Sequence, residues 1–394
     1  MRATLSSMMT SVPYSSCVPC ADMTEVVLFT PYISAIGGVE RLLLSLSRYL
    51  VNSGFSVRIA CFDADEQFQA KCHVSVQMSV LKPKRNAASE AHALCRYIRV
   101  APSGTKWLFF DLKSAFYLGL AKKPPAFVLH LTDPPTLLPA DITKHAWSAA
   151  TRLKSASRAN VIQRLRGEIA HRVTKFGVRR ARKVIVMTAR IGTEVRALYD
   201  VEPEIHPPGI EAGQYSRARR YEPGPIHVLS ISRLETSKRL DYVIRALAQL
   251  TIHDWSFHVV GDGDARQSLV DLASNLRLEH RVVFHGRLND EEAEALYLSS
   301  HLFVMPAVQG YGLPALEALA RGLPVILHKD SGVAEFLSNS NCVSVIDRLD
   351  GLAAAFEVMF RRIRNDELEC EGGTLIPPLG DWCDNIRRLV VQCG

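Results

Sequence analysis

The chain of 394 residues carries 47 Lys and Arg against 40 Asp and Glu, a formal net charge of +7, and 47% of its residues are hydrophobic. This composition is that of a globular protein, and at about 150 residues per domain the length predicts two or three domains. It argues against a disordered, collagen-like or coiled-coil chain. No apolar run approaches the ~18 residues that a membrane-spanning helix needs.

The first segment, residues 1–23, is a Ser-rich leader without the apolar core of a secretory signal, and Met23 would serve as an alternative start. Cys17 and Cys20 lie in it, but they have no second pair or neighbouring His, so we expect no metal or redox site there. The nine cysteines of the chain are few and scattered. We therefore expect reduced thiols and a cytoplasmic protein.

From residue 24 onward, short strands alternate with helices. A buried strand is predicted at residues 25–30, followed by Gly37-Gly38 and an amphipathic helix over residues 39–51. Further strands of the first half are predicted at residues 55–62, 107–111, 126–131 and 183–187, whereas residues 63–105 give no clear pattern.

The positive charge is concentrated in residues 151–183, which hold eleven basic residues and the single acid Glu168. An apolar stripe recurs there at helical spacing: Ile162, Leu165, Ile169, Val173 and Phe176. Two interpretations stay open, a helix packed on its own domain with a solvated basic face, or a helix docked on an anionic membrane surface. Nucleic acid is not an expected partner, because the sequence shows no binding module and no aromatic interleaving.

Pro207-Pro208-Gly209 marks a change, after which the alternation becomes regular. Strands are predicted at residues 226–231, 256–260, 281–285, 302–305, 324–327 and 342–345, and a helix capped by Asn289 at residues 290–299. Such βαβ units predict an α/β fold with two Rossmann-like domains, residues 24–206 and 207–377, that face a central cleft. Ligands of parallel sheets bind at the carboxyl ends of the strands.

Four loops fall at those strand ends. Gly37-Gly38 opens the first helix, where a slim backbone and free N–H groups suit a phosphate. The loop after the strand at 226–231 presents Arg233 and Lys238, which either converge on a diphosphate or are solvated surface charges. His130 ends the strand at 126–131 and is either a core residue or a donor, acid or base toward a substrate.

The fourth loop runs from Gln309 through Gly310, Tyr311 and Gly312 to Leu313, and a helix follows it. Its glycines allow successive backbone N–H groups to point at a ligand. Glu317 lies one turn into the helix, within an otherwise apolar stretch. A carboxylate in that place suits two neighbouring hydroxyls, as on a ribose.

Together these motifs resemble those of glycosyltransferase family 4, retaining enzymes of the GT-B fold that use nucleotide-diphospho-sugars. The resemblance covers residues 24–394 and is most specific in the second half. It rests on Gly37-Gly38-Val39-Glu40, Pro208-Gly209-Ile210-Glu211, Ser232-Arg233-Leu234 with Lys238, Gly261-Asp262-Gly263, and the run from Gly310 to Ala318.

The resemblance implies a donor-binding second domain, an acceptor-binding first domain and a last helix, within residues 378–394, that crosses back to the first domain. It implies that Arg233 and Lys238 stabilise the departing diphosphate, with Gly37 and Gly38 beside it. Glu317 would hold the nucleotide ribose, the amides of Gly310, Tyr311, Gly312 and Leu313 would contact the donor sugar, and His130 would lie near the transferred sugar. No metal or cofactor is expected, because side-chain cations and helix ends supply the positive charge. The acceptor would be a glycan or a lipid-linked glycan.

The sequence departs from the family at one site position. The family's E-x7-E pattern places a Glu eight residues before Glu317, where this chain has Gln309. We favour an active hexosyltransferase, because an amide still orients a sugar. The alternatives are a non-catalytic nucleotide-sugar-binding protein and another GT-B chemistry such as epimerisation. A dehydrogenase is disfavoured, because the G-x-G-x-x-G spacing is missing.

Overall fold

The structure is a computed structural model that describes residues 24–33, 37–135, 161–211, 221, 223–338, 340–368, 370 and 376–393. The leader with its Cys17 and Cys20 lies outside the described residues. So does the first part of the basic segment, residues 151–160.

The first half forms a parallel sheet of seven strands. They are β1 (Glu25–Phe29), β3 (Ser56–Cys61), β5 (Val76–Val80), β6 (Lys106–Phe110), β7 (Val128–Leu131), β8 (Lys183–Val186) and β9 (Glu204–Ile205). Their order across the sheet is β5-β3-β1-β6-β7-β8-β9. The short strands β2 (Tyr32–Ile33) and β4 (Asp63–Ala64) pair with each other. The central strands are almost wholly buried, as expected of a parallel sheet covered on both faces.

The second half forms a parallel sheet of six strands. They are β10 (Ile226–Ile231), β11 (Trp255–Val260), β12 (Val282–Gly286), β13 (Leu302–Met305), β14 (Val325–His328) and β15 (Val343–Ile346). Their order is β12-β11-β10-β13-β14-β15. Two parallel sheets with helices between their strands confirm the predicted α/β class and GT-B architecture. The exact domain boundaries, at residues 206 and 377, stay predictions.

Thirteen α-helices lie within the described part of the chain. They are α1 (Gly38–Asn52), α2 (Glu66–Lys71), α3 (Ala87–Val100), α4 (Asp111–Leu120), α5 (Val161–Arg179), α6 (Ala189–Tyr199), α7 (Leu240–Ala248), α8 (Arg266–Asn275), α9 (Asp290–Ser299), α10 (Leu313–Ala320), α11 (Ala334–Leu337), α12 (Leu352–Arg364) and α13 (Leu379–Gln392).

The capped helix α9 shows why local sequence predicted so many boundaries. The Asn289 side chain accepts a hydrogen bond from Glu292 N at 2.8 Å, and Glu292 Oε2 accepts one from Asn289 N at 2.9 Å. This reciprocal capping box fixes the helix start at the predicted residue. Asp111 is an exception, because it was predicted to end a strand but begins α4, with a φ of +66°.

The last helix crosses back to the first domain, as predicted. Trp382 of α13 is buried and its ring lies 5.7 Å from that of His130, which is on β7. Asp384 of α13 accepts a hydrogen bond from Tyr49 of α1 at 3.2 Å. The helix therefore ties the end of the chain to the first sheet.

The basic helix α5 packs through its small residues, and three residues of its apolar stripe face the solvent, whereas Val173 packs against the core. A Cβ placed on Gly177 would lie 1.8 Å from the carbonyl oxygen of Ala115 in α4, so the two helices cross too closely for any other residue there. Leu165, Ile169 and Phe176 are each more than half exposed. The interpretation in which this stripe packs on its own domain is therefore wrong for these three residues; Ile162 lies outside the described side chains.

The expectation of reduced thiols needs one correction. Cys342, which precedes β15, forms a disulfide with Cys370, with a Cα–Cα distance of 5.5 Å. Within the described residues, five further cysteines are free: Cys61, Cys72, Cys95, Cys383 and Cys393. No pattern in the sequence predicts this pair, since its members lie 28 residues apart and only the fold brings them together.

Among the helices that the structure describes, none combines the length and the apolar character that crossing a bilayer requires.

Candidate active site in the interdomain cleft

The carboxyl ends of both sheets open on one cleft, and two of the predicted loops meet partners across it. Gly38, at the start of α1, faces the second domain: a Cβ placed on it would lie 3.4 Å from Leu313 Cδ1. Gly310 meets the loop after β7, where a Cβ would lie 2.8 Å from the carbonyl oxygen of Thr132. The structure therefore brings Gly38, Gly310 and Leu313 to one interdomain region, as predicted.

The cationic loop after β10 reaches the same region. Lys238 Nζ donates a hydrogen bond to Gln309 Oε1 at 3.2 Å. Burial lowers the pKa of Lys238, and the nearby Arg233 lowers it further. Arg233 is largely exposed and pairs with Glu235 at 2.9 Å. Lys238 thus lies against Gln309 with Arg233 nearby, and the carboxylates of Glu235 and Asp133 lie close to these two cations.

Gln309 is held by its backbone and by both side-chain atoms. Its carbonyl oxygen accepts a hydrogen bond from Gly332 N at 3.2 Å. Its Nε2 contacts the sulfur of Met305, while its Oε1 faces Lys238. The amide therefore has a fixed orientation in the cleft.

The turn that follows exposes backbone donors. Gly312 has a φ of +121°, which favours glycine, and it precedes the first residue of α10. The N–H groups of residues 310–313 donate to no other residue in the described part of the chain. Tyr311 places its side chain away from these donors, because its buried hydroxyl donates to the carbonyl oxygen of Pro208. Only the backbone of Tyr311 is thus positioned for a ligand.

Glu317 forms an ion pair across the cleft that the sequence did not reveal. Its Oε1 lies 2.6 Å from Arg41 Nη1 of α1, and its Oε2 accepts a hydrogen bond from Tyr297 at 3.0 Å. Arg41 follows the Gly37-Gly38 motif by one helical turn, and that position was the available signal. The carboxylate is therefore already paired in the absence of a ligand.

His130 does not reach the cleft, which corrects the expectation that it lies beside the transferred sugar. Its side chain is fully buried between the rings of Phe110 and Trp382, at 5.3 and 5.7 Å. Neither ring nitrogen has a hydrogen-bond partner in the described structure. Burial lowers the pKa of His130 to about 3, so the ring is neutral at physiological pH. It is a core residue.

Three carboxylates near the cleft were missed. Glu40 accepts a hydrogen bond from Gly37 N at 3.0 Å and so caps α1. Asp111 accepts bonds from Lys113 N and Ser114 N at 2.7 and 3.0 Å, and burial raises its pKa to about 7. Asp133 directly follows Thr132 at the contact with Gly310. They were given no role because an acidic residue is common in the first turn of a helix, where Glu40 and Asp111 lie, and because Asp133 lies in a loop without a periodic pattern.

Comparison with known proteins decides the family. Residues 214–357 match the family model described as glycosyl transferases group 1, and residues 37–209 match the glycosyl transferase 4-like domain. The chain belongs to the group 1 glycosyltransferases. Both halves of the cleft thus come from segments typical of this family.

Similar group 1 glycosyltransferases include two curated relatives. An uncharacterized glycosyltransferase of Methanocaldococcus jannaschii is 36% identical over 114 residues, 28% of this chain and 29% of the relative. The GDP-mannose-dependent alpha-(1-6)-phosphatidylinositol monomannoside mannosyltransferase of Mycolicibacterium smegmatis is 32% identical over 164 residues, 36% of this chain and 43% of the relative. The matched stretch spans less than half the length of each of them.

Solved structures extend the likeness to the whole fold. HepE of Anabaena in complex with UDP-glucose superposes with a TM-score of 0.69 at 17% identity, over 93% of this chain and 99% of that chain. At this identity the likeness shows the GT-B fold alone and leaves the substrate open.

Proposed function

We propose that this protein is a hexosyltransferase-type enzyme that moves a sugar from a nucleotide-diphospho-sugar to an acceptor hydroxyl, with retention of anomeric configuration. The observation that carries the proposal is the placement of Lys238, near Arg233, at 3.2 Å from Gln309, which directly precedes in sequence the free amides of the Gly310 turn. Cations and free backbone donors on neighbouring loops of one cleft suit a diphosphate and the sugar attached to it.

Lys238 and Arg233 would stabilise the departing diphosphate. Burial and repulsion from Arg233 disfavour the charged form of Lys238. A diphosphate offsets both effects, so its binding and the charge on Lys238 favour each other. Because these side chains supply the positive charge, we propose that transfer needs no metal ion and no cofactor. Retention would follow because the diphosphate leaves from the same face of the sugar that the acceptor hydroxyl attacks.

Glu317 would hold the ribose, and the second domain would thus bind the donor. Two hydroxyls of a ribose would replace the contacts that Arg41 and Tyr297 now make with the carboxylate. The first domain would bind the acceptor. We propose a glycan or lipid-linked acceptor in glycan, polysaccharide or glycolipid biosynthesis, in line with the phosphatidylinositol monomannoside named for the mycobacterial relative.

The exposed surface of helix α5 supports the proposal that the protein binds peripherally to the inner, cytoplasmic face of a membrane. Leu165, Ile169 and Phe176 share one exposed helix face with Arg172 and Arg179, since these residues recur at helical spacing. An apolar face lined by arginines suits an anionic lipid surface, to which each basic residue contributes about 1 kcal/mol.

Vesicle co-sedimentation tests this docking. We expect binding to phosphatidylglycerol-containing vesicles, loss of binding at high salt, and at least a fivefold loss after Leu165→Ser with Phe176→Ser. Val358→Ser removes an exposed apolar side chain from the second domain and is the matched control. Equal binding to neutral vesicles, or binding unchanged by the double substitution, would contradict the membrane surface.

A second candidate, a non-catalytic nucleotide-sugar-binding protein, is favoured by Gln309. Calorimetry and hydrolysis assays over UDP-, GDP-, ADP- and TDP-sugars separate the two. An enzyme releases nucleoside diphosphate from one of these donors, at a rate that rises with the correct acceptor. Nucleotide binding without any turnover would instead establish the non-catalytic candidate.

A further inference from the structure

We propose that Asp133, from the first domain, is the carboxylate that binds the donor sugar, at the place where position 309 offers only an amide. This inference rests on the proposed function. It concerns a residue that the sequence motifs do not single out.

The first step is the position of Asp133. It lies in the loop after β7, directly against the Gly310 turn: a Cβ placed on Gly310 would lie 2.4 Å from Asp133 Oδ1. Glycine at 310 therefore leaves room for the carboxylate. The two domains meet here, so the carboxylate enters the donor half of the cleft from the opposite side.

The second step is its charge environment. The Asp133 side chain is open to the solvent of the cleft, although protein surrounds it on several sides. That enclosure raises its pKa, while Lys238 and Arg233 act in the opposite direction. Those are the cations that we assign to the diphosphate. The carboxylate therefore lies in the same part of the cleft as the proposed leaving group.

The third step is its freedom to bind. Glu40 and Asp111, named with Asp133 above, already accept backbone hydrogen bonds, Glu40 from Gly37 and Asp111 from Lys113 and Ser114. Asp133 makes no hydrogen bond or ion pair with a described residue. Its oxygens are thus free to accept hydrogen bonds from sugar hydroxyls. Its negative charge would also stabilise the positive charge that develops on the reacting carbon as the diphosphate leaves.

The test compares Asp133→Asn with the double variant Asp133→Asn, Gln309→Glu. The probes are UDP-glucose, GDP-mannose, UDP and GDP, used with the full-length protein. We expect Asp133→Asn to keep its affinity for the nucleoside diphosphate within twofold. It should weaken binding of the matching nucleotide sugar at least fivefold and lower kcat/KM of transfer at least 30-fold. In the double variant, Gln309→Glu should raise kcat/KM at least tenfold above that of Asp133→Asn, because it returns a carboxylate beside Lys238.

The matched control is Glu211→Gln, which also converts an interdomain carboxylate to an amide but contacts Ser45, away from Gly310. It should leave the nucleotide-sugar affinity unchanged. The proposal is overturned if Asp133→Asn binds the nucleotide sugar as tightly as the wild type, if it loses nucleoside diphosphate to the same extent, or if the double variant binds and turns over no better. The calorimetric comparison remains decisive if the wild type binds nucleotide sugars without turning them over, so the two proposals can fail separately.

Discussion

Arg41 of the first domain and Glu317 of the second form an ion pair of 2.6 Å across the cleft, at the carboxylate expected to hold the nucleotide ribose. The arginine side chain is 47% exposed, so the pair contributes little to stability on its own. The ion pair instead affects ligand binding, because the hydroxyls of a ribose and the guanidinium of Arg41 compete for the carboxylate oxygens of Glu317.

This competition gives the first prediction. Arg41→Ala should tighten nucleoside diphosphate binding about threefold, since an exposed ion pair is worth roughly 0.2–1 kcal/mol. Glu317→Ala should weaken it about 10-fold or more, because the ribose loses its acceptor. Calorimetry on the two variants and on their combination measures both effects. In the Glu317→Ala background, Arg41→Ala should have no further effect; a strong loss of affinity in Arg41→Ala alone would show that Arg41 itself binds the phosphates.

The second prediction concerns the contact between the domains at Gly310. Gly310→Ala places a methyl group 2.4 Å from Asp133 Oδ1 and 2.8 Å from the carbonyl oxygen of Thr132, so the cleft must widen. We expect transfer to fall at least 30-fold, while the melting temperature drops only a few degrees. Gly351→Ala is the control, because nothing lies within 4 Å of its Cβ. Equal rates for both variants would mean that the domains do not close as described.

His130 gives the third prediction, on acid stability. Its folded pKa of about 3 lies below the ordinary value of 6.5, so the unfolded chain binds the proton more readily. Stability is therefore full above pH 6.5 and is lost as the pH falls toward 3. His130→Leu removes this loss. Melting curves from pH 7.5 to 5 should show a shallower decline for the variant, with transfer at pH 7.5 retained within about threefold. If a folded His130→Leu protein lost sugar transfer, His130 would be shown to act in the active site after all.

The disulfide gives the fourth prediction. Protein purified without reductant and then denatured should titrate with two fewer thiols than the same protein after reduction, because Cys342 and Cys370 are paired. Ser substitution of either residue should lower the melting temperature of the oxidised protein only. In the reducing compartment that we propose, the pair would be two thiols. Identical thiol counts before and after reduction would exclude the bond.

The sequence predicted the regular elements well and the side-chain contacts across the cleft poorly. Asn289 and the apolar periodicity of α1 act locally, so element boundaries can be derived from short stretches of sequence. The loops at the strand ends were placed correctly, because parallel sheets direct them to one edge. What a side chain does there depends on the opposite domain.

His130 and Arg41 show that limit. Both lie within correctly predicted elements. One side chain nevertheless points into the core against Trp382, which lies about 250 residues later in the sequence, and the other reaches Glu317. The exposed stripe of α5 has the same cause. Its spacing predicted a helix with an apolar face, but Gly177 and α4 determine which face is covered.

The central claim is that Lys238 and Arg233 support sugar transfer beside Gln309. The measurement that tests it most directly is the detection of glycoside formation by NMR. The donor is the nucleotide sugar selected in the binding screen, and the proteins compared are the wild type, Lys238→Ala and Gln309→Glu. We predict a product with retained anomeric configuration. Its rate should fall about 100-fold or more in Lys238→Ala, because the leaving group loses a cation, and should change less than fivefold in Gln309→Glu. A purified wild type without activity that gains transfer only through Gln309→Glu would contradict the account.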